Sequence, residues 1–477
     1  MIKRLRFWHY FNRNRFANAL ACLGSEPVPK NDASLWACYR LGLYKTVVQS
    51  TCDWRSWRGG YAKAVSFSAV GAHGEAVDHT RRLVSKGVSE RQQYSLANAL
   101  APFQPDLSLE LIKNINAPAT LRTALLLANG QSMKACQVAK EVLKCSEQST
   151  PELELYLSNS DQQSPSQQLV TLNNFLAAHG LSALALKNKA TAPGPNNLLS
   201  LEELPKVSGP LVSILMTTYQ SEERVETSIR SLLTQTWENI ELIVIDDDSS
   251  DRTSEIVQKL VKEDKRIIYI KLPVNVGTYV AKRIGFEHAK GEFVICHDSD
   301  DWSHPLKIER QVRPLIENSS LVFTTAHWVR MQDDGIFYAR PVHTLLRLNP
   351  ASPMFRRELV ASKAGLWDLV RTGADSEFLA RLKLVFGRKA MHRVVEPLTF
   401  GAHRPDSLMT AVSTGHGVGG ISPVRLDYWE SWTRWHIAEL NRGLKPKQSD
   451  DYSTSRRFLA PDSICVPMTD VRACLAQ

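Results

Sequence analysis

Between residues 212 and 305 the order of apolar and polar positions alternates between two periods. Val212-Ser213-Ile214-Leu215-Met216, Ile240-Glu241-Leu242-Ile243-Val244-Ile245, Ile267-Ile268-Tyr269-Ile270 and Phe293-Val294-Ile295-Cys296 are short, nearly continuous apolar runs. Such runs read as strands buried on both faces. Between them Val225, Ile229, Leu232 and Leu233, then Ile256, Val257, Leu260 and Val261, recur at helical spacing. Strands separated by helices predict an α/β fold with parallel pairing and right-handed crossovers. Two acidic clusters leave the carboxyl ends of these strands: Asp246-Asp247-Asp248-Ser249-Ser250-Asp251 and Asp298-Ser299-Asp300-Asp301. Parallel pairing puts both on one edge of the sheet, where open α/β sheets bind ligands.

Residues 31–190 follow another rule, helix after helix. Leu83, Val84, Leu96, Ala97 and Leu100 are followed by Leu121, Ala124, Leu125 and Ala128, with breaks at Ala101-Pro102 and Ala117-Pro118. The pattern predicts an all-α domain over residues 1–195, loosely similar to tetratricopeptide-like solenoids but without a clean internal period. Such a domain either presents a surface to a partner or buttresses its neighbour. Pro, Gly and Asn crowd residues 190–197 and Pro returns at 205 and 210, so residues 196–209 read as a linker. The α/β domain then spans 210–412, and a helix and tail occupy 413–477. Within the latter, the glycine-rich stretch 415–420 reads as a hinge or lid. Residues 428–440, with Trp429, Trp432, Trp435 and Ile437, read as an amphipathic helix that needs a surface to cover. From residue 445 the tail is polar and reads as partly extended.

Composition adds limits. With 477 residues, 43% hydrophobic and 22% charged, the chain has material for globular cores. A net charge of +9 permits anionic partners; nucleic acid would rest on that charge alone and is not expected. The eight cysteines show no Cys-x-x-Cys pair and read as reduced thiols of a cytoplasmic protein. No run approaches the ~18 apolar residues of a membrane span. Residues 1–20 carry Lys3, Arg4, Arg6, Arg13 and Arg15 among Leu5, Phe7, Trp8, Tyr10, Phe11 and Phe16, without an acid. Two readings stand: a peripheral contact with the anionic face of an inner membrane, or a first helix that packs its aromatics inward.

Three carboxylates within residues 298–301 repel one another, and a divalent cation is the usual reason for such a cluster. Oxygen donors suit Mg²⁺ or Mn²⁺.

The same residues carry a family resemblance. Val212 through Tyr219 resembles the first strand of family 2 glycosyltransferases of the GT-A fold. Leu232-Leu233-Thr234-Gln235-Thr236-Trp237-Glu238-Asn239-Ile240-Glu241-Leu242-Ile243-Val244-Ile245-Asp246-Asp247 is similar to their run ending in paired aspartates. Asn275-Val276-Gly277, Ala281-Lys282-Arg283-Ile284-Gly285 and Ala289-Lys290-Gly291-Glu292 follow in the family's order before an Asp-x-Asp, and so many ordered elements make a specific signal. The resemblance covers roughly residues 210–410. It implies a nucleotide-sugar donor, with Asp247 and either Thr217 or Tyr219 at base and ribose, and with Lys282 at the nucleotide. It implies Asp300 as the metal ligand, Asp298 toward ribose or a metal-bound water, and Asp301 orienting the loop. Thr372-Gly373-Ala374-Asp375-Ser376-Glu377 resembles the helix start that bears the general base, which makes Asp375 that base, although Ala374 stands where the family has glutamate. The segment 402–410 resembles the late stretch that closes over the donor, with His403 and Arg404 facing the diphosphate.

Plainer roles stand beside these. Ser250 or Asp251 could cap a helix over 252–262, Asp375 could cap a helix from 376, Lys282 and Arg283 could be surface charges, and His403 could be a buried structural histidine. The resemblance implies an inverting transfer to a glycan or glycolipid acceptor such as lipopolysaccharide or capsule. A polymerase is disfavoured, because the family's Gln-x-x-Arg-Trp motif and membrane spans are missing. Two other classes remain: an inactive sugar-nucleotide-binding scaffold whose helical domain recruits a partner, and a nucleotidyltransferase, which the glycine-free stretch Thr217–Glu222 disfavours.

Overall fold

The computed structural model describes residues 2–145, 150–161, 163–405, 407, 411, 414–417, 419–449 and 456–476. Leu184–Leu186 (β1) and Leu198–Ser200 (β2) pair antiparallel, so the stretch around the expected linker is a small hairpin. Val212–Thr218 (β3) and Ile240–Asp246 (β4) are buried at every residue, as their continuous apolar runs require. With Ile267–Lys271 (β5) and Phe293–Asp298 (β6) they form a parallel set in the order β5-β4-β3-β6. The sheet continues through Trp302–Ser303 (β7), Phe323–Met331 (β8), Phe337–Tyr338 (β9), Arg347–Leu348 (β10), Met354–Arg356 (β11) and Met391–Ala402 (β12). Beyond β6 the order is β11-β8-β12-β7, with β9 and β10 on β8. Here the sheet is mixed: β11 runs antiparallel to β6 and β8, while β12 runs parallel to β8. The α/β expectation holds, with parallel pairing in the half that bears the acids.

The crossovers are amphipathic. Val225, Ile229 and Leu232 of the helix Val225–Leu233, and Val257 and Leu260 of Thr253–Glu263, bury one face against β3, β4 and β6. The latter helix starts at Thr253, with Asp251 accepting from the Thr253 amide instead of serving as the cap residue itself. The order in which strands are added reverses at β3, with β4 on one side and β6 on the other. The crevice beyond their carboxyl ends is the switch point at which such sheets bind ligands.

Among the described residues twelve α-helices precede the sheet, from Ile2–Phe11 to Pro165–Ala177. Three of them begin in reciprocal capping boxes, at Asn31/Ser34, Ser89/Gln92 and Ser164/Gln167. They are not a bead on a tether. Leu155, Tyr156, Phe175 and Leu176 share one core with Ala326, Val329, Met331 and Leu398 of the sheet. In Ile2–Phe11 the rings of Phe7 and Phe11 turn inward, whereas Ile2, Leu5 and Trp8 stay exposed.

The predicted tryptophan-rich helix is Pro423–Asn441. Trp432 and Trp435 join the core of the sheet domain, and Ile437 that of the helical domain. Gly42, at φ +76°, allows the Trp429 indole to approach so closely that a Cβ there would lie 2.4 Å from Nε1. The tail is more ordered than its polarity suggested, since Met468–Leu475 is a helix that buries Val471 and Cys474. The stretch read as a hinge is instead a hairpin, His416–Gly417 (β13) on Gly420–Ile421 (β14), with Val418 outside the described residues. A Cβ on Gly420 would stand 2.8 Å from the Gly71 amide, so the hairpin sits against the helical domain. No helix among the described residues is long and apolar enough to cross a membrane.

Candidate active site

Strands β3 and β6 deliver Thr217 and Asp298 as register neighbours at the switch point. The Thr217 hydroxyl lies 2.7 Å from that of Thr278, which opens the helix Thr278–His288. One turn on, Lys282 is 1% exposed, with Nζ 3.5 Å from Asp298 Oδ1 and 3.8 Å from Asp375 Oδ1. It is therefore no surface charge. A buried ammonium is tolerated only where carboxylates compensate it. Burial alone would pull its pKa down, but Asp375 and Asp298 outweigh that and hold it well above the ordinary lysine value.

Asp375 lies inside the first turn of Ala374–Phe386, with Gly373 at the cap position at φ +90°, so the capping role falls away. Its Oδ2 accepts from the Tyr279 hydroxyl at 2.9 Å. Tyr279 precedes Lys282 by three residues and so presents from the same helix face. Burial pushes the Asp375 carboxyl above the usual range, against the pull of Lys282. A carboxyl with a raised pKa, held by two oriented donors at a sheet switch point, suits proton abstraction.

Asp300 meets Arg404: its Oδ2 accepts from Nε at 3.0 Å and from Nη2 at 2.8 Å. Burial raises the Asp300 carboxyl, Arg404 opposes, and Asp298 adds to the rise. Asp301 turns away, and its Oδ1 accepts from the Ala402 amide at 2.9 Å, which ties the acidic loop to β12. Among the described residues no three His, Cys, Asp or Glu side chains converge as a cage for a metal. That is compatible with Mg²⁺ or Mn²⁺, which bind through one or two carboxylates with the rest from water and phosphate. Asp298 and Asp300 are the donors of that type here.

Asp247 holds the turn before the Lys282 helix. Its two oxygens accept from the Val276 and Gly277 amides, each at 2.7 Å. Tyr219, at the end of β3, is half exposed. Two expectations change. The His403 ring stacks on Tyr338 with centroids 3.5 Å apart, and burial, with Arg330 beside it, pushes its pKa to about 4. A neutral, stacked histidine brings no charge to a diphosphate, which favours the plainer structural reading of His403. Arg283 is buried and donates to the Trp367 and Ser449 carbonyls. Of the late segment, Asp406, Leu408, Met409 and Thr410 lie outside the described residues.

Tyr279 and Thr278 were not singled out from the sequence, although their spacing from Lys282 on one helix was a usable signal. Glu377, two residues from Asp375, is a poor alternative base. It is fully buried between Arg381 and His436, and these outweigh burial to hold it at about 2.

Residues 213–365, within the α/β half of the chain, match the family described as glycosyl transferase family 2. An uncharacterized glycosyltransferase of Haemophilus influenzae is 39% identical over 126 residues, 26% of this chain and 50% of that protein. The putative teichuronic acid biosynthesis glycosyltransferase TuaG of Bacillus subtilis is 35% identical, over 26% of this chain and 49% of its own. The UDP-Glc:alpha-D-GlcNAc-diphosphoundecaprenol beta-1,3-glucosyltransferase WfaP of Escherichia coli is 33% identical, over 28% and 52%. The chain thus spans about half the length of the curated relatives it matches.

Proposed function

We propose that this chain transfers a sugar from a nucleotide-sugar, most simply a UDP-sugar, to a hydroxyl of a bacterial surface glycan or glycolipid, with inversion. The observation that carries the reading is the meeting of Lys282, Asp298 and Asp375 where β3 and β6 end. The UDP-linked donor and the lipid-linked acceptor in the name of the E. coli relative support the substrate class. In this reading Asp375 takes the proton of the acceptor hydroxyl as its oxygen attacks the anomeric carbon. Lys282 and Tyr279 fix that carboxylate and set its affinity for the proton. Thr217, Tyr219 and Asp247 border the space for base and ribose. Asp298 and Asp300 would hold Mg²⁺ or Mn²⁺ against the donor diphosphate, and the ion would supply neutralisation of the leaving group. Arg404 shares that charge balance through Asp300. The work would take place at the cytoplasmic face of the membrane, with the basic helix Ile2–Phe11 as a peripheral contact.

An inactive scaffold would have no need to keep a buried ammonium between two carboxylates, a costly arrangement without use. The test is a donor screen on the full chain that reads released nucleotide with and without Mn²⁺. Metal-stimulated release from at least one nucleotide-sugar is expected. No release from any donor, with or without acceptor extract, would refute the reading.

A further inference from the structure

Two ties join the turn before the Lys282 helix to the segment that leads into Asp375, and only one of them touches Asp375. Tyr279 donates its hydroxyl to Asp375 Oδ2 at 2.9 Å. Four residues earlier on each segment, Arg371 grips Asn275. Its Nη1 donates to the Asn275 side-chain oxygen, and its Nη2 to the Asn275 carbonyl at 2.9 Å. Both ties span 96 positions of the chain. Residues 275–279 and 371–375 therefore lie alongside each other, fastened at both ends.

Asn275 passes this hold on to the turn. Its side-chain nitrogen donates to the Asp247 carbonyl at 3.0 Å, while the Asp247 carboxylate accepts from the Val276 and Gly277 amides. The Asn275 amide group is thus used at both ends, oxygen toward Arg371 and nitrogen toward Asp247. The approach demands glycine in the turn. Gly277 sits at φ +80°, and a Cβ there would stand 3.2 Å from Arg371 Cα and 3.1 Å from its Cγ. The C-terminal segment braces the same place. The Arg371 amide donates to the Ile464 carbonyl at 2.8 Å, and Val370 bridges Cys465. The Cys474 thiol, on Met468–Leu475, lies 3.8 Å from the Val274 carbonyl. Ile464, Val471 and Cys474 share one core with Val276 and Val280.

We propose that Arg371 is a positioning residue for the donor. Through Asn275 it holds the turn 275–277, and with it Asp247 and the start of the helix that presents Tyr279 and Lys282, in register with Asp375. The proposal rests on the glycosyl-transfer reading, in which Asp247 borders the space for base and ribose. A planar guanidinium suits the task, because two bonds to one residue fix distance and angle together, whereas an ammonium is a point charge on a flexible stem. An arginine that only stabilised the fold would change the melting temperature and leave donor affinity alone.

The test is calorimetric titration of UDP with Mn²⁺ into the full chain and its variants, alongside nucleotide release with acceptor present and melting temperatures. Arg371→Met should weaken UDP binding by about tenfold or more, the worth of a hydrogen bond from a charged group. It should also lower kcat, since the Tyr279 hydroxyl loses its register with Asp375. Arg371→Lys can keep one of the two bonds to Asn275 and should recover part of both losses; it carries the test if the methionine variant does not fold. Asn275→Ala should weaken UDP binding as well. Adding Arg371→Met to it should then cost clearly less than Arg371→Met costs the wild type, because the two side chains act through one contact. UDP affinity and turnover equal to wild type in a folded Arg371 variant would overturn the proposal. So would losses that multiply in the double variant, which would give Arg371 a donor contact of its own. Wild-type binding of UDP that Arg371→Met leaves intact sinks the proposal alone. A wild type that neither binds UDP nor releases nucleotide from any donor sinks the reading beneath it, and the proposal with it.

Discussion

Lys282→Met removes the one ammonium that faces both Asp298 and Asp375, at 3.5 and 3.8 Å. The Asp298 side chain is 42% exposed and solvent screens it, so the effect is worked on Asp375, which is 19% exposed. At an effective dielectric near 20, opposite unit charges about 4 Å apart attract by roughly 4 kcal/mol, equivalent to about 3 pK units. Water at the crevice mouth reduces that, and a rise of roughly one to three units is expected when the cation goes. Burial has already raised the Asp375 carboxyl. The base must be ionised to work, so the acid limb of kcat/KM against pH should move upward by the same amount. Below the limb the rate should fall about tenfold per unit, and it should recover toward wild type at high pH. The assay is nucleotide release with acceptor present across the pH range, in wild type and variant. Loss of a buried partner also destabilises, by about 3–5 kcal/mol, so rates are read well below the melting temperature. An acid limb that does not move in a folded variant would refute the assignment of Lys282 as the group that sets Asp375.

Two further outcomes are expected. Glu377 is held at about 2 against an ordinary 4.5, so its stabilisation is present above pH 4.5 and lost as the pH falls toward 2. That is about 3 kcal/mol, and denaturant unfolding followed from pH 5 down should show a slope that Glu377→Gln removes; a slope unchanged by the substitution would contradict it. Asp300→Asn should weaken donor binding measured with Mn²⁺ and leave binding without metal little changed, because a neutral amide is a poor partner for a hard cation. Equal losses in both conditions would assign Asp300 to Arg404 alone.

The parallel half of the sheet was legible because strands buried on both faces must be written as continuous apolar runs, and β3, β4 and β6 are. The acids at their ends follow from the same reading, which is why Asp247 and Asp298 could be placed on one edge. What spacing could not show is the closure of the site. Tyr279 and Asp375 stand 96 positions apart and meet only through tertiary packing. Asp300 and Arg404 were both singled out, but for a metal and a diphosphate, and not for each other. For His403 the sequence left two roles open, and nothing in its neighbourhood of sequence reveals Tyr338, the ring it stacks on. The terminal helix Met468–Leu475 escaped notice because only Val471 and Cys474 are buried, too few for a periodicity. The hairpin around residues 190–197 was read as a linker because its Pro, Gly and Asn serve tight turns and loose connections alike.

The central claim is that Asp375 is the base of a glycosyl transfer. Asp375→Asn is nearly isosteric and keeps an oxygen to accept from Tyr279, but it cannot take a proton. The most direct measurement is the transfer rate of wild type and Asp375→Asn on one donor–acceptor pair, with donor affinity taken by calorimetry on the same samples. A rate lower by roughly 10²–10⁴ at nearly unchanged donor affinity is the predicted result. Turnover at the wild-type rate would contradict the account, and the buried ion pair of Glu377 leaves that residue no part as a substitute.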